Sequence, residues 1–414
     1  MPCAGNAART CPALWAMWAV LLASGMVMVG VAILLLPRPP AHLALRPAAF
    51  SDLAGWYDDD QQHALAAFRR SCAAILHQPA DRPIAADIRF GRVADWRAPC
   101  LAAEAMGVEA SNQPALVRAF FERWFQPFAV SSNGRRTGLF TGYYEPTVDG
   151  RLTPDATYRF ALYRRPPDLV SVDLGLFRAD LAGRRIAGRV VDGRLVPFAP
   201  RAAIEDGALA GRGLELVWLK SPVDAFFLHI QGSGRVRLKD GRIMRVGYAG
   251  GNGHIYRAIG RDLIARGVLT KKELLLQSIR TWLIAHPGEA RALMQQNPSF
   301  VFFRKLSGDG PIGAQGVPLT PGRSLAIDRA FLPLGAPVWL ETTRPGVRGI
   351  EPDKMPYRRL MVAQDSGGAI RGVVRGDVFW GAGRYAEDMA GHMKQRGRYF
   401  VLLPRRTNPQ GENP

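Results

Sequence analysis

The feature that most constrains the fold is a repeated alternation of short apolar runs with Gly, Pro and Asp. It extends over residues 137–250 and resumes over residues 298–403. Short strands bounded by turn residues have this pattern, so two β-rich units are predicted. The better strand candidates in the first unit are residues 157–163, 185–191, 214–219, 226–231 and 235–239.

Helical periodicity flanks the first β-rich unit. Residues 58–77 place Leu65, Phe68 and Cys72 at three- and four-residue spacing, which is typical of an amphipathic helix. Helices are also predicted over residues 114–128, 255–266, 270–285 and 289–296. The predicted fold is therefore mainly β with flanking helices, in the α+β class.

The amino-terminal region contains an unbroken apolar span, residues 13–36, without a charged side chain. At the rise of an α-helix this length is sufficient to cross a bilayer. We expect an uncleaved membrane anchor that holds the chain at the cell envelope, and a cleaved signal segment is the alternative. Only Cys72 and Cys100 follow the span, and an even pair in an exported protein suggests one disulfide. Two buried free thiols are the alternative.

The chain has a formal net charge of +19, and a basic surface favours polyanionic partners. Because no helix-turn-helix, zinc-finger or aromatic RNA-binding signature is present, nucleic acid is not expected. The dispersed arginines suit a carboxylate-bearing cell-wall polymer or an anionic membrane. The sequence contains neither CxxC nor HExxH, so no metal site and no cofactor are predicted.

The stretch AQDSGGAIRGVVRGDVFWGAG, residues 363–383, contains Asp365 and Asp377 among glycines and apolar residues. The apolar runs 360–363 and 372–374 predict two strands, and Gly367 with Gly368 permits a tight turn with positive φ. A carboxyl group buried in such a sheet has a raised pKa and can donate a proton as a general acid. Turn capping is the alternative role for both aspartates.

A third aspartate, Asp328, lies upstream in AIDRAFLPLG. The order AIDRAFLPLG, AQDSGGAIRG and RGDVFWGAG resembles the three-aspartate double-psi β-barrel domain. Within that class the chain resembles the membrane-bound lytic murein transglycosylase A family. The resemblance includes the upstream segments GLFTGYYEP, SPVDAFFLHIQGSGRV and GYAGGNGHIYRAIGRDL, which follow in the same order.

The resemblance implies a discontinuous domain organisation. A catalytic double-psi β-barrel domain with helices would comprise residues 41–142 and 286–404, and an inserted smaller β-barrel domain would comprise residues 143–285. The groove between them would hold a polymer. Residues 1–40 would form the membrane anchor or signal segment, and residues 405–414 a flexible tail.

The resemblance also bears on localisation. Family members are often lipoproteins, but here Met26 follows Leu22-Ala23-Ser24-Gly25, and Cys3 and Cys11 precede the apolar span. The chain therefore has no lipobox cysteine. We expect the periplasmic face of the envelope, with an anchor in the inner membrane favoured and the outer membrane left open.

The resemblance implies a lytic transglycosylase that cleaves the β-1,4 bond between N-acetylmuramic acid and N-acetylglucosamine in peptidoglycan and forms a 1,6-anhydro-muramic acid end. By the family's pattern Asp377 is the acid and then the base, with Asp365 and Asp328 as supporting groups. A structural hydrogen-bond network is the alternative for the latter two. Two other functions stay open: a glycoside hydrolase that uses Asp365 with Asp377, and a non-catalytic peptidoglycan-binding scaffold.

The candidate substrate-binding residues come from three segments. Aromatic rings with hydroxyl tips suit sugar rings, although tyrosines on a strand can equally face the core. Side chains at a Gly-rich strand end can bind a hydroxyl or an N-acetyl group, although a simple turn explains them equally well. The candidates are Tyr143, Tyr144, Gln231, Gly232, Ser233 and Asn252. The expected partners are glycan strands, a membrane through the amino-terminal segment and the cell-wall synthesis machinery.

Overall fold

The computed structural model of the protein describes residues 42–181, 184–271, 273–308, 310–347 and 351–405. The strands are β1 (Leu43–Pro47), β2 (Phe125–Ser132), β3 (Gly138–Glu145), β4 (Thr147–Arg151), β5 (Phe160–Tyr163), β6 (Val170–Asp173), β7 (Arg185–Val191), β8 (Arg194–Pro197), β9 (Glu215–Leu219), β10 (Ser233–Arg237), β11 (Ile243–Gly251), β12 (Val301–Leu306), β13 (Ser324–Ile327), β14 (Pro337–Pro345), β15 (Lys354–Asp365), β16 (Arg375–Ala382) and β17 (Lys394–Pro404). The α-helices are α1 (Gln62–Leu76), α2 (Val93–Ala105), α3 (Val108–Ser111), α4 (Pro114–Trp124), α5 (Arg201–Ala203), α6 (Pro222–Gln231), α7 (Gly260–Ala265), α8 (Leu276–Ala285), α9 (Pro287–Gln295) and α10 (Arg384–His392).

Six strands of the largest sheet close on themselves in the order β17, β14, β15, β13, β16 and β3. Closure occurs because β3 pairs in parallel with β16 on one side and antiparallel with β17 on the other. Strands β2 and β1 continue outward from β17. The prediction of a sheet-rich α+β fold is therefore confirmed, and β3, which precedes the second sheet in sequence, completes a ring whose other strands come from the last third of the chain.

The intervening chain forms a second sheet in the order β12, β11, β10, β4, β9 and β5. Arg164, directly after β5, forms an isolated parallel bridge with Phe303 in β12. A three-stranded sheet, β6, β7 and β8, lies between β5 and β9 in sequence. Strand β12 pairs in the second sheet, whereas the predicted domain boundaries assign residues 286–404 to the catalytic domain. The proposed domain boundaries stay a prediction.

The ring is covered by helices α1, α2 and α4, which share one hydrophobic core with it. Trp56, Trp96 and Trp339 are fully buried in this core. The Sγ atoms of Cys72 in α1 and Cys100 in α2 lie 2.16 Å apart, as a disulfide. The bond ties together the two helices nearest the start of the described chain.

Residues 226–231 were wrongly predicted as a strand. Residues 226–231 belong to helix α6, in which Phe226, Phe227 and Leu228 are all buried. A helix that is apolar on every side gives the same continuous run as a buried strand. The deciding signals are the Ser221 side chain, which accepts the Asp224 N–H at 3.2 Å, and Gly232, whose φ of 77° ends the helix.

Several boundaries also differ from the prediction. The helix expected over residues 114–128 ends at Trp124, and the aromatic stripe continues into β2. The helices expected from residues 255 and 270 begin at Gly260 and Leu276. Thr270 and Glu273 do make the reciprocal bonds of a capping box, but they close only a turn.

The turn between Asp365 and Asp377 was mispredicted as well. Residues 372–374 form a bend, and β16 begins only at Arg375. Positive φ occurs at Gly372, with φ of 109°, rather than at Gly367 or Gly368. Both aspartates therefore lie within long strands, Asp365 at the end of β15 and Asp377 inside β16.

The described residues contain no helix with the length and hydropathy needed to span a bilayer. The predicted anchor, residues 13–36, lies outside the described residues.

Candidate active site

The three aspartates line a single cleft of about 620 Å³. Strand β13 runs between β15 and β16, and its Ala326 is in register with Asp365 on one side and with Asp377 on the other. Asp328 directly follows β13. Pairing of three strands thus brings together acids that are far apart in sequence.

Asp377 is the candidate general acid, and it keeps part of its surface open to the cleft. Its Oδ1 accepts a hydrogen bond from Thr141 Oγ1 at 2.5 Å. Burial raises the pKa of Asp377 to about 6, and the negative charge of Asp365 acts in the same direction. The positive charge of Arg375 and the Thr141 hydroxyl oppose this rise in pKa. Asp377 is therefore protonated in a large fraction of molecules at mildly acidic pH.

Asp365 differs from Asp377 because three donors occupy its oxygens. Oδ2 accepts the Tyr143 hydroxyl at 2.8 Å, and Oδ1 accepts the N–H groups of Ala314 and Ser366 at 2.9 and 2.8 Å. Burial raises the pKa of Asp365, while these three donors counteract it. The carboxylate is held in one orientation beside Asp377.

Asp328 joins two loops at the edge of the cleft. Its Oδ2 accepts the Gly372 N–H at 2.8 Å, and its Oδ1 accepts the Ala330 N–H at 3.2 Å. Arg371 lies 3.7 Å from Oδ1. With backbone donors on both oxygens and 6% exposure, Asp328 is placed to hold loops rather than to transfer protons.

Hydrogen bonds between helix α1 and Gln364 hold the end of β15 in position. The Gln364 amide donates to the Ala67 carbonyl at 2.8 Å and to Ser71 Oγ at 2.9 Å. Its Oε1 accepts Ser324 Oγ from β13. Ser71 in turn donates to Gln315 in the loop that supplies a donor to Asp365. This buried network sets the position of Asp365 from outside the cleft.

Four of the predicted binding residues line the cleft: Tyr143, Gln231, Gly232 and Ser233. The Tyr143 ring packs 5.2 Å from that of Phe379, so it is held rigidly at the cleft wall. Gln231 ends helix α6, and its Oε1 accepts the Tyr144 N–H at 3.2 Å, which joins the helix to β3. The ring, through Tyr143, and helix α6, through Gln231, thus both form walls of the cleft.

The other two predicted binding residues lie away from the cleft. Successive side chains of a strand point to opposite faces, so Tyr144 turns into the ring core and donates to Glu387 at 3.1 Å. The Asn252 amide donates to the carbonyls of Ala199 and Pro298, both at 2.9 Å. Its Oδ1 accepts the Phe300 N–H. Both predictions are corrected: these side chains brace the fold.

Two site residues were missed by sequence reasoning. Thr141 lies two residues before Tyr143 in β3, and Arg375 lies two residues before Asp377 in β16. Residues at this spacing share a face of a strand, so the signal was present once the strands were known. Arg375 Nη2 donates to Thr141 Oγ1 at 2.8 Å, which leaves the threonine proton for Asp377.

Comparison with known proteins identifies the family. Residues 139–304 match the model of the MltA specific insert domain, and residues 323–403 match the 3D domain. A crystal structure of a membrane-bound lytic murein transglycosylase from Agrobacterium tumefaciens is 37% identical, with a TM-score of 0.76. That similarity covers 87% of this chain and 98% of the other. The chain belongs to the membrane-bound lytic murein transglycosylase A family.

Two further comparisons both involve lytic murein transglycosylase A of Escherichia coli. Membrane-bound lytic murein transglycosylase A of Escherichia coli K12 is 37% identical over 265 residues, which are 64% of this chain and 65% of that protein. The match thus spans slightly less than two thirds of that relative. A crystal structure of E. coli MltA with bound chitohexaose is 27% identical with a TM-score of 0.56, covering 89% and 95% of the two chains.

The two matched regions both contribute to the cleft. Asp328, Asp365 and Asp377 fall within the 3D domain match, whereas Tyr143 and Gln231 fall within the insert-domain match. The family's two modules therefore meet at the acids.

Proposed function

We propose that the protein is a peptidoglycan lytic transglycosylase, with Asp377 as acid and then base. The observation that carries the proposal is the position of Asp377 at an open cleft with a pKa raised to about 6. An acid with this pKa retains a proton that it can deliver to a glycosidic oxygen. It also becomes a competent base once that proton has left.

The proposed reaction uses only one proton-transferring group. Asp377 protonates the oxygen that leaves C1 of N-acetylmuramic acid, and the C1–O bond breaks. The C6 hydroxyl of the same sugar attacks C1 and gives its proton to Asp377, which closes the 1,6-anhydro ring and restores the acid. Because the nucleophile belongs to the substrate, proximity lowers the barrier without an activated water. Arg375 and Thr141 stabilise the transient Asp377 carboxylate.

The state of Asp365 favours this reaction over hydrolysis. A hydrolase needs a second carboxylate that is free to activate water or to attack C1. Both Asp365 oxygens already accept hydrogen bonds, one from Tyr143 and the other from two backbone N–H groups. We therefore assign Asp365 and Asp328 supporting roles, and the two-carboxylate hydrolase stays the second candidate.

The proposed substrate is a glycan strand of peptidoglycan. The names of the relatives refer to murein, and the E. coli relative has been crystallised with chitohexaose. Tyr143 and Ser233, each 8% exposed, and the half-buried Gln231 line the cleft with the ring and hydrogen-bonding atoms that suit sugar rings. We assign these side chains, with Gly232, to substrate binding.

The proposed location is the cell envelope. The relatives are named membrane-bound, and residues 13–36 have the length and apolarity of an anchor. We also retain the division into a catalytic domain, residues 41–142 and 286–404, and an inserted domain, residues 143–285. An inner-membrane anchor and contact with the wall-synthesis machinery belong to the same proposal.

Mass spectrometry of digested sacculi distinguishes the candidate functions. A lytic transglycosylase releases fragments with 1,6-anhydro-muramic acid ends, whereas a hydrolase releases reducing ends that are heavier by one water. A scaffold that only binds releases neither. Exclusively hydrated ends would overturn the proposal in favour of the hydrolase.

A further inference from the structure

Arginines surround the acids of the cleft on several sides. Among the described residues, four arginines line it: Arg185, Arg304, Arg329 and Arg371. Arg185 lies in β7 of the three-stranded sheet and Arg304 in β12 of the second sheet. Arg329 follows β13 and Arg371 lies between β15 and β16, so both belong to loops of the ring. The three-stranded sheet, the second sheet and the loops of the ring thus each place positive charge at the same cleft.

These arginines are only partly compensated by carboxylates. Asp173 pairs with Arg185 at 3.3 Å. Asp328 lies 3.7 Å from Arg371, but its two oxygens already accept backbone N–H groups. Within the described residues, no ion pair engages Arg304 or Arg329. Asp365 and Asp377 have raised pKa values and so offset less charge than free carboxylates.

Arg329 and Arg185 both line the cleft, and their like charges repel one another. The pKa of Arg329 is lowered by partial burial and by the like charge of Arg185, and the attraction of Asp173 does not restore it. In the described part of the chain Asp173 pairs with Arg185 alone, so the two like charges face each other at an electrostatic cost. An anion placed between them removes that cost, and guanidinium groups bind carboxylates with two parallel hydrogen bonds.

We propose that Arg185, Arg304, Arg329 and Arg371 bind carboxylates of the peptide stems that project from the glycan strand. This inference rests on the proposed function and names the part of that substrate which the cleft recognises. The sugar rings of the strand are uncharged, whereas the stems carry free carboxylates. A strand positioned with a muramic acid at Asp377 places its stem beside the sugar, within the zone that the arginines surround. Stem-bearing strands therefore bind better than strands whose stem charges are neutralised.

Chemical neutralisation tests the proposal without altering the protein. Soluble glycan strands with intact stems are first acetylated on their amines, and one portion is then converted to methylamides at its carboxylates. Binding of the two portions to the full chain is measured by titration, and cleavage is followed in parallel. We expect the charged strands to bind on the order of tenfold more tightly, and we expect this difference to shrink as salt is raised.

Variants show whether the arginines cause the difference. Arg304→Gln combined with Arg329→Gln is expected to weaken binding of charged strands to the level of methylamide strands, with the latter unchanged. Arg97→Gln is the matched control, because Arg97 is exposed on α2 and does not line the cleft. A thermal melt verifies that the double variant is folded, and the wild-type comparison stands even if it is not.

The outcomes separate this proposal from the proposed function. Equal affinity of the wild-type protein for charged and methylamide strands overturns the arginine proposal, whether or not cleavage occurs. Binding that depends on stem charge without any cleavage supports the arginine proposal and contradicts the transglycosylase assignment. A competition titration compares millimolar inorganic phosphate with stem carboxylates as competitors of strand binding. Equal competition by the two identifies a general anion site and also overturns the proposal.

Discussion

Thr141 Oγ1 and Asp377 Oδ1 lie 2.5 Å apart on the neighbouring parallel strands β3 and β16. Arg375 donates to the same threonine oxygen at 2.8 Å, so the hydroxyl proton is directed at Asp377. A donor favours the charged form of a carboxyl group, whereas burial favours the neutral form. The pKa of Asp377, about 6, is the balance of these effects, and each can be altered separately.

The raised pKa of Asp377 has a consequence for stability. Between about pH 3.8 and about pH 6 the folded protein retains a proton at Asp377 that the unfolded chain releases. The contribution of this group to stability is therefore complete at low pH and is lost as the pH rises through about 6. Asp377→Asn removes that loss. We expect the melting temperature of the variant relative to wild type to be higher at pH 8 than at pH 4, and the opposite trend would contradict the buried-acid interpretation.

Removal of the Thr141 hydroxyl changes the pKa of Asp377 without substituting Asp377 itself. Thr141→Val preserves side-chain shape but deletes the donor that lowers the pKa of Asp377, so that pKa rises. Because the acid must be protonated to act, the alkaline limb of kcat/KM shifts to higher pH. The check is a pH–rate profile on soluble glycan strands, with the exposed Thr147→Val in β4 as control. An alkaline limb that stays in place or moves to lower pH counts against the assignment.

The neighbouring tyrosines provide a matched pair. Tyr143→Phe removes the hydroxyl that donates to Asp365 at 2.8 Å, and we expect kcat/KM to fall on the order of tenfold. Tyr144→Phe removes only the hydrogen bond to Glu387 of α10, so it should lower stability and leave cleavage nearly unchanged. Initial rates and urea denaturation of both variants test this. Equal activity losses would mean that β3 is oriented differently from the structure.

The disulfide is expected to support the helical cover of the ring. Cys72 and Cys100 are 28 residues apart, and a closed loop of this size contributes about 3 kcal/mol to stability. The double variant Cys72→Ala, Cys100→Ala should therefore unfold at lower urea concentration by about that free energy. Wild-type protein in reducing agent should behave in the same way. Thiol labelling of the denatured, unreduced chain that reaches both cysteines would contradict the bond.

The sequence was sufficient to predict the β-rich character and the three aspartates, because both depend on local patterns. Apolar runs with turn residues between them indicate strands, and the Asp-containing segments are short motifs. That the acids share one cleft depends on β13 pairing with both β15 and β16. That Thr141 reaches Asp377 depends on β3 pairing with β16, more than two hundred residues away along the chain. Local patterns do not encode such a partner choice.

Each error in the prediction has a specific physical reason. The apolar run before Gln231 suits a buried helix as well as a strand, and only Ser221 and Gly232 mark its ends. Tyr143 and Tyr144 are chemically equivalent in sequence, and only the orientation of β3 assigns one to the cleft and the other to the core. Asn252 lies in a glycine-rich segment whose pattern is also typical of a binding loop, but its side-chain amide donates to two backbone carbonyls and joins loops. The cleft arginines come from three sheets, so no segment reveals them as a group.

The most direct test of the central claim is cleavage of isolated sacculi by Asp377→Asn compared with wild type. Asparagine preserves the size of the side chain and removes the transferable proton, so we expect release of anhydro-ended fragments to fall on the order of a thousandfold. Co-sedimentation with sacculi should be unchanged, because the cleft and its binding residues remain. Cleavage by this folded variant at the wild-type rate would show that another group transfers the proton.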